Sequence, residues 1–157
     1  MIKRSLLPLL LLPLAVLASS AQAADLWFNA GGVSYHDKPG RNPYNPGAGL
    51  ELRTSDDLAF AAGVYRNSHD LPSRYVGVIY TPLKVSTPVA PIYMGVQVGG
   101  VDGYPINDGK AMLAAAATAE LRSRSWCIAL VYVPAVEHLK NANMVALQFK
   151  RQIGGLW

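Results

Sequence analysis

Residues 49–67, GLELRTSDDLAFAAGVYRN, decide the fold. Leu50 and Leu52 share one face of the first run, and Glu51 and Arg53 share the other. After the polar turn Ser55-Asp56-Asp57, Leu58, Phe60, Ala62 and Val64 oppose Ala59, Ala61, Gly63 and Tyr65. Strict period-two alternation around a short polar turn predicts a β-hairpin. One of its faces is aliphatic and aromatic, and the other mixes charge with small residues.

The same rhythm runs through the chain on either side. LWFNAGGVSYH follows Asp25, and runs at Arg74–Leu83, Ile92–Val101, Trp126–Pro134 and Met144–Gln152 complete the clear set. Ala111–Arg122 is ambiguous: its alanine cluster favours helix by propensity, yet Thr118, Glu120 and Arg122 alternate with Ala117, Ala119 and Leu121. Eight runs result, each near the ~9–11 residues a tilted strand needs to cross a bilayer. The links Asp37–Gly47, Ser68–Ser73, Asp102–Lys110 and Ala135–Asn143 are on average longer and more polar than Ser55–Asp57, Lys84–Pro91 and Ser123–Ser125. Outer-membrane barrels have long outer loops and short periplasmic turns. The expected fold is therefore all-β: an eight-stranded antiparallel up-and-down transmembrane β-barrel with both termini periplasmic.

Residues 1–23 read as a secretory signal peptide, leaving 24–157 as the barrel domain. Lys3 and Arg4 precede a leucine-rich segment, and Ala21-Gln22-Ala23 supplies small residues for cleavage. Without Lys3 and Arg4 the formal charge falls from +4 to +2, which removes the case for a nucleic-acid partner. Cys127 is the only cysteine, so no intramolecular disulfide forms. No phosphate loop, nucleotide fingerprint or metal-ligand spacing is present, and no cofactor is expected.

The rival to a membrane barrel is an exported soluble, lipocalin-like barrel. Charged residues make up 15% of the chain and fall largely in connectors, too few for a water-facing coat. The strand face bearing Glu51, Arg53, Glu120 and Lys150 suits a narrow interior holding a paired polar network, and no porin activity is expected. Trp27, Tyr35, Tyr75, Tyr80, Tyr104, Trp126 and Tyr132 lie near strand ends, where interfacial girdles use aromatics.

In architecture and pattern the mature chain resembles the small eight-stranded outer-membrane barrels, the group that includes the OmpA transmembrane domain and the palmitoyltransferase PagP. The resemblance implies a bacterial outer-membrane location, lipid and lipopolysaccharide as surroundings, the assembly machinery as a partner, and a monomer. Trp157 is a terminal aromatic of the kind that machinery reads, although Arg151 interrupts the alternation and leaves Gly154–Trp157 as a tail. By analogy with the palmitoyltransferases, His36 would act as base with Ser68 and Asp70, since an imidazole relieves a hydroxyl of its proton in acyl transfer. Asn67 precedes Ser68 where that group has aspartate, and the group's amphipathic N-terminal helix has no counterpart. All three histidines, His36, His69 and His138, fall on one expected side. The leading expectation is a non-catalytic barrel whose Arg41, Arg74, Lys110 and Lys140 meet lipopolysaccharide phosphates; the alternative is a lipid A acyltransferase or acyl hydrolase.

Overall fold

In the computed structural model, residues 24–136 and 142–156 are described; the expected signal peptide, His138, Lys140 and Trp157 lie outside them. Eight strands run in chain order: β1 (Ala24–His36), β2 (Tyr44–Arg53), β3 (Leu58–Arg66), β4 (Pro72–Val85), β5 (Ile92–Val101), β6 (Met112–Arg122), β7 (Trp126–Val133) and β8 (Met144–Leu156). Each pairs antiparallel with its neighbours, and β1 pairs with β8 to close the barrel. Closure leaves no edge strand with unpaired backbone groups. Met112–Arg122 is a strand: its cross-strand partners on β5 and β7 outweigh alanine's helical propensity.

The hairpin at 49–67 sets the rule for the whole wall. Leu50, Phe60 and Val64 point outward and are 51%, 41% and 55% exposed, whereas Glu51, Arg53, Ala59 and Ala61 point in and are buried. The same inversion continues through Val76, Val78, Val96, Val98, Leu130, Leu147 and Phe149, all exposed. Small inward residues make room for the few large ones. A Cβ on Gly49 would come within 2.2 Å of the Tyr75 hydroxyl, and one on Gly63 within 2.8 Å of the same ring. Tyr75 thus crosses the lumen only because both positions lack side chains.

Three irregularities adjust the wall. The pairing of β1 slips around Gly31-Gly32, so Asn29 and Ser34 both reach the interior despite their odd spacing. A second slip faces Leu26 and Trp27, where Ile153 is the extra residue on β8, and a third lies between Tyr80 and Leu83. β8 does not stop near Ile153: Gly154, Gly155 and Leu156 pair with Leu26, Asp25 and Ala24. Nor does Arg151 break the alternation. It takes an outward place beside Trp126 at the rim, near Ser125, where charge is far cheaper than at mid-wall.

Three of the seven aromatics expected in an interfacial girdle are not in one. Trp27 is 2% exposed inside the barrel, Tyr75 packs on the buried Ala59–Ala61–Ile79 cluster, and Tyr104 bonds Tyr65. For Trp27 and Tyr75, parity within the strand rather than nearness to its end decides which way the ring points, whereas Tyr104 lies in the β5–β6 loop. Tyr35, Tyr80 and Tyr132 do face outward, joined by Tyr44.

Candidate functional site

Two polar assemblies occupy the barrel, one in the half nearer the short turns and one under the long loops. The first is a lattice of ion pairs. Lys150 Nζ donates to Glu51 Oε2 at 2.7 Å and to Glu120 Oε1 at 2.5 Å, and all three side chains are fully buried. Arg53 Nη2 donates to Glu120 Oε2 at 3.1 Å and also contacts Glu51. Arg122 contacts Glu120 as well, and its Nη1 donates to the Asp56 carbonyl at 2.6 Å. Its guanidinium carbon lies 3.9 Å from the centre of the Tyr93 ring. Register explains the convergence, because inward residues of β2, β6 and β8 meet across a lumen too narrow to keep them apart.

Arg122 is the member that sequence reasoning missed. Its alternation with Glu120 was the signal that could have placed it on the inward face. Cys127 is fully buried in the same half, packed with Trp27 and Ala129. Each side chain in this lattice has lost its water, so each depends on its partners to keep its charge.

The second assembly is a crown of hydrogen bonds. Asn67, fully buried, donates through Nδ2 to Ser73 Oγ and to the Gly103 carbonyl, both at 2.9 Å. Its Oδ1 accepts from the His69 and Leu71 amides at 2.8 and 3.2 Å, which shapes the β3–β4 turn. Tyr65 and Tyr104 hydroxyls meet at 2.8 Å. Asn143 Nδ2 donates to Asp37 Oδ2 at 2.5 Å, tying the first long loop to the last.

The expected acyl-transfer residues share this rim but are not assembled. Asp70 accepts from Asn42 at 2.5 Å and faces Arg66 at 3.9 Å. The Ser68 backbone carbonyl accepts from the Asn42 amide at 2.9 Å. Among the described residues, no side-chain hydrogen bond joins His36, Ser68 and Asp70. The His69 ring contacts the Arg41 guanidinium and stands edge-on to Tyr104. Burial first, and the Arg41 charge second, hold its pKa below the ordinary histidine value. Arg74 is bound to Asp102 at 2.7 Å, and the Arg74 amide and guanidinium lower the pKa of that carboxyl. Lys110 is exposed and pairs with no acid among the described residues. No group of three His, Cys, Asp or Glu side chains able to hold a metal occurs among the described residues.

No family model matches this chain, and no curated protein does. Solved structures do. A de novo designed protein, TMB2.3, determined by NMR in solution, aligns with a TM-score of 0.60 at 14% identity, covering 86% of this chain and 98% of the design. The N-terminal β-barrel domain of Pseudomonas aeruginosa OprF aligns at 0.43 and 12% identity, covering 84% and 98%. The likeness is one of fold. The design shares the barrel fold, at an identity too low to carry a function across.

Proposed function

We propose that this chain is a small, non-porin barrel of the bacterial outer membrane, with a structural and lipid-contacting role. The observation that carries the reading is the inverted wall: aliphatic side chains cover the outside while charged ones fill the inside. Exposed apolar side chains run round the wall from Phe28 through Leu50, Phe60, Val76, Val96, Leu130 and Phe149, whereas soluble monomers rarely expose a contiguous apolar patch above a few hundred Å². The wall suits hydrocarbon, with each strand hydrogen-bonded to both neighbours in the closed sheet. The leader-like segment 1–23 fits export, and insertion by the outer-membrane assembly machinery would follow from it.

Absence of conduction follows from the lattice, which joins β2, β6 and β8 across the lumen through Lys150 and Arg53. Arg41, Arg74 and Lys110 are among the described cations at the long-loop rim, and lipopolysaccharide phosphates would be their partners. The test uses protein purified from membranes and reconstituted in planar bilayers and in vesicles with or without lipopolysaccharide. Heat-modifiable gel migration, no stable large-conductance channel, and salt-sensitive association weakened by the pair Arg74→Glu and Lys110→Glu are expected. A detergent-independent soluble monomer would overturn the membrane reading, and open porin currents the non-porin one.

A further inference from the structure

Arg151 is the charged side chain on an outward face of β7 and β8 that is otherwise apolar. Its cross-strand partners are Trp126 on β7 and Phe28 on β1, both on the same outward face. Phe149 and Ile153, two positions away on β8, share that face and are exposed. The side chain reaches toward the short-turn rim, where Nη1 donates to Ser125 Oγ at 3.5 Å. A long stem lying on apolar wall with its head at the rim is the posture of a basic residue at a lipid interface. The guanidinium is exposed, so its other N–H groups are open to a ligand.

No carboxylate answers this charge. Among the described residues of β6, β7, β8 and the turn Ser123–Ser125, the one acid is Glu120, which is buried inside the barrel. Asp25, at the foot of β1, borders the lumen's mouth and accepts from Gln152 Nε2 at 2.8 Å. Arg124, exposed at the tip of the same turn, adds a second positive charge and has no ion pair among the described residues. The far side of this rim is built differently, because there Lys84 Nζ lies 3.3 Å from Asp56.

A guanidinium receives a phosphodiester through two parallel N–H bonds. A zwitterionic headgroup would bring an ammonium that finds no carboxylate on this face, whereas an uncompensated anion fits it. Farther up the wall, Ile128, Leu130, Leu147 and Phe149 are exposed and apolar, a surface for acyl chains. We infer that the outward foot of β7 and β8 is a binding site for one anionic phospholipid of the leaflet facing the short turns. Its phosphodiester is held by Arg151 beside Ser125, and its chains lie along that apolar face. The inference rests on the membrane reading and goes beyond it, since the rim cations named there lie at the opposite end of the barrel.

The experiment is native mass spectrometry of the barrel in detergent, supplied with equal amounts of phosphatidylglycerol and phosphatidylethanolamine of matched chains. One phosphatidylglycerol should be retained in preference by about fivefold, the scale of one basic residue at a lipid surface. Arg151→Gln should bring the two lipids to equal retention while heat-modifiable migration persists. Lys84→Gln removes a cation that already has an acid and should leave the preference intact. Equal retention by the unaltered barrel, or the same loss in Lys84→Gln as in Arg151→Gln, would overturn the site. A barrel that inserts in bilayers yet shows no preference sinks the site alone. A protein soluble without detergent sinks the membrane reading along with it.

Discussion

The lattice and the crown are both polar, both enclosed by the same wall, and organised on opposite terms. In the lattice, formal charges are stacked where water does not reach, and Lys150 alone links Glu51 to Glu120 from β8. In the crown the members are mostly neutral, amide to hydroxyl or amide to carbonyl, and its ion pairs lie at the exposed rim. Removing one neutral partner costs one hydrogen bond's worth of desolvation, whereas removing one buried ion strands its neighbours. The difference is between a network that stands or falls together and one that is repaired locally by water.

The sharpest way to break the comparison is Lys150→Met. It leaves Glu51 and Glu120 with one less cation between them and should lower unfolding stability by about 3–5 kcal/mol, read from urea midpoints in detergent. A loss no larger than that of a crown variant would mean the lattice is wetter than its burial implies. Between the two regions lies the outward belt. Leu147→Arg, 43% exposed on the wall, should cost about 2–4 kcal/mol in a bilayer and much less in the loosely ordered shell of a detergent micelle. An equal cost in both would argue against a lipid-facing side chain there.

Asn67→Ala probes the crown. Its four hydrogen bonds vanish, and the expected loss is about 1–3 kcal/mol, with faster proteolysis in the β3–β4 turn before global unfolding. The smallest effect belongs to His69. Its folded pKa lies below the ordinary histidine value of 6.5, so the unfolded chain takes up the proton first as pH falls. The neutral imidazole's contribution is therefore complete above the unfolded value and is lost as acidification proceeds through it toward the folded one. The ring-proton titration of His69 should have its midpoint below 6.5, and Arg41→Ala should move it upward. An unchanged midpoint would separate His69 from the Arg41 charge.

The inward and outward faces were readable because alternation is a local property, and Glu51 and Arg53 announce their side by their spacing from Leu50 and Leu52. Strand ends were less so. Pro72 and Ser73 belong to β4 rather than to a loop, since Pro72 occupies the first strand position, where its missing N–H is tolerated. The slips at Gly31-Gly32 and Ile153 depend on what the neighbouring strand offers, which no single run encodes. The partners in each assembly were hidden for the same reason. Glu51 and Lys150 are 99 positions apart, and only barrel closure makes them neighbours. The aromatics misled where position along the strand was weighed above parity, as Trp27 and Tyr75 illustrate.

Cys127, sealed inside the wall beside Trp27, makes the protein its own unfolding reporter. As the one thiol in the sequence, it is shielded from a bulky maleimide while the strands stay closed, and becomes reactive when β7 parts from its neighbours. Pulse alkylation followed by mass measurement thus counts open molecules directly, in vesicles or in whole envelopes, with no engineered probe. The same count taken over time after dilution from urea would give the rate of strand closure.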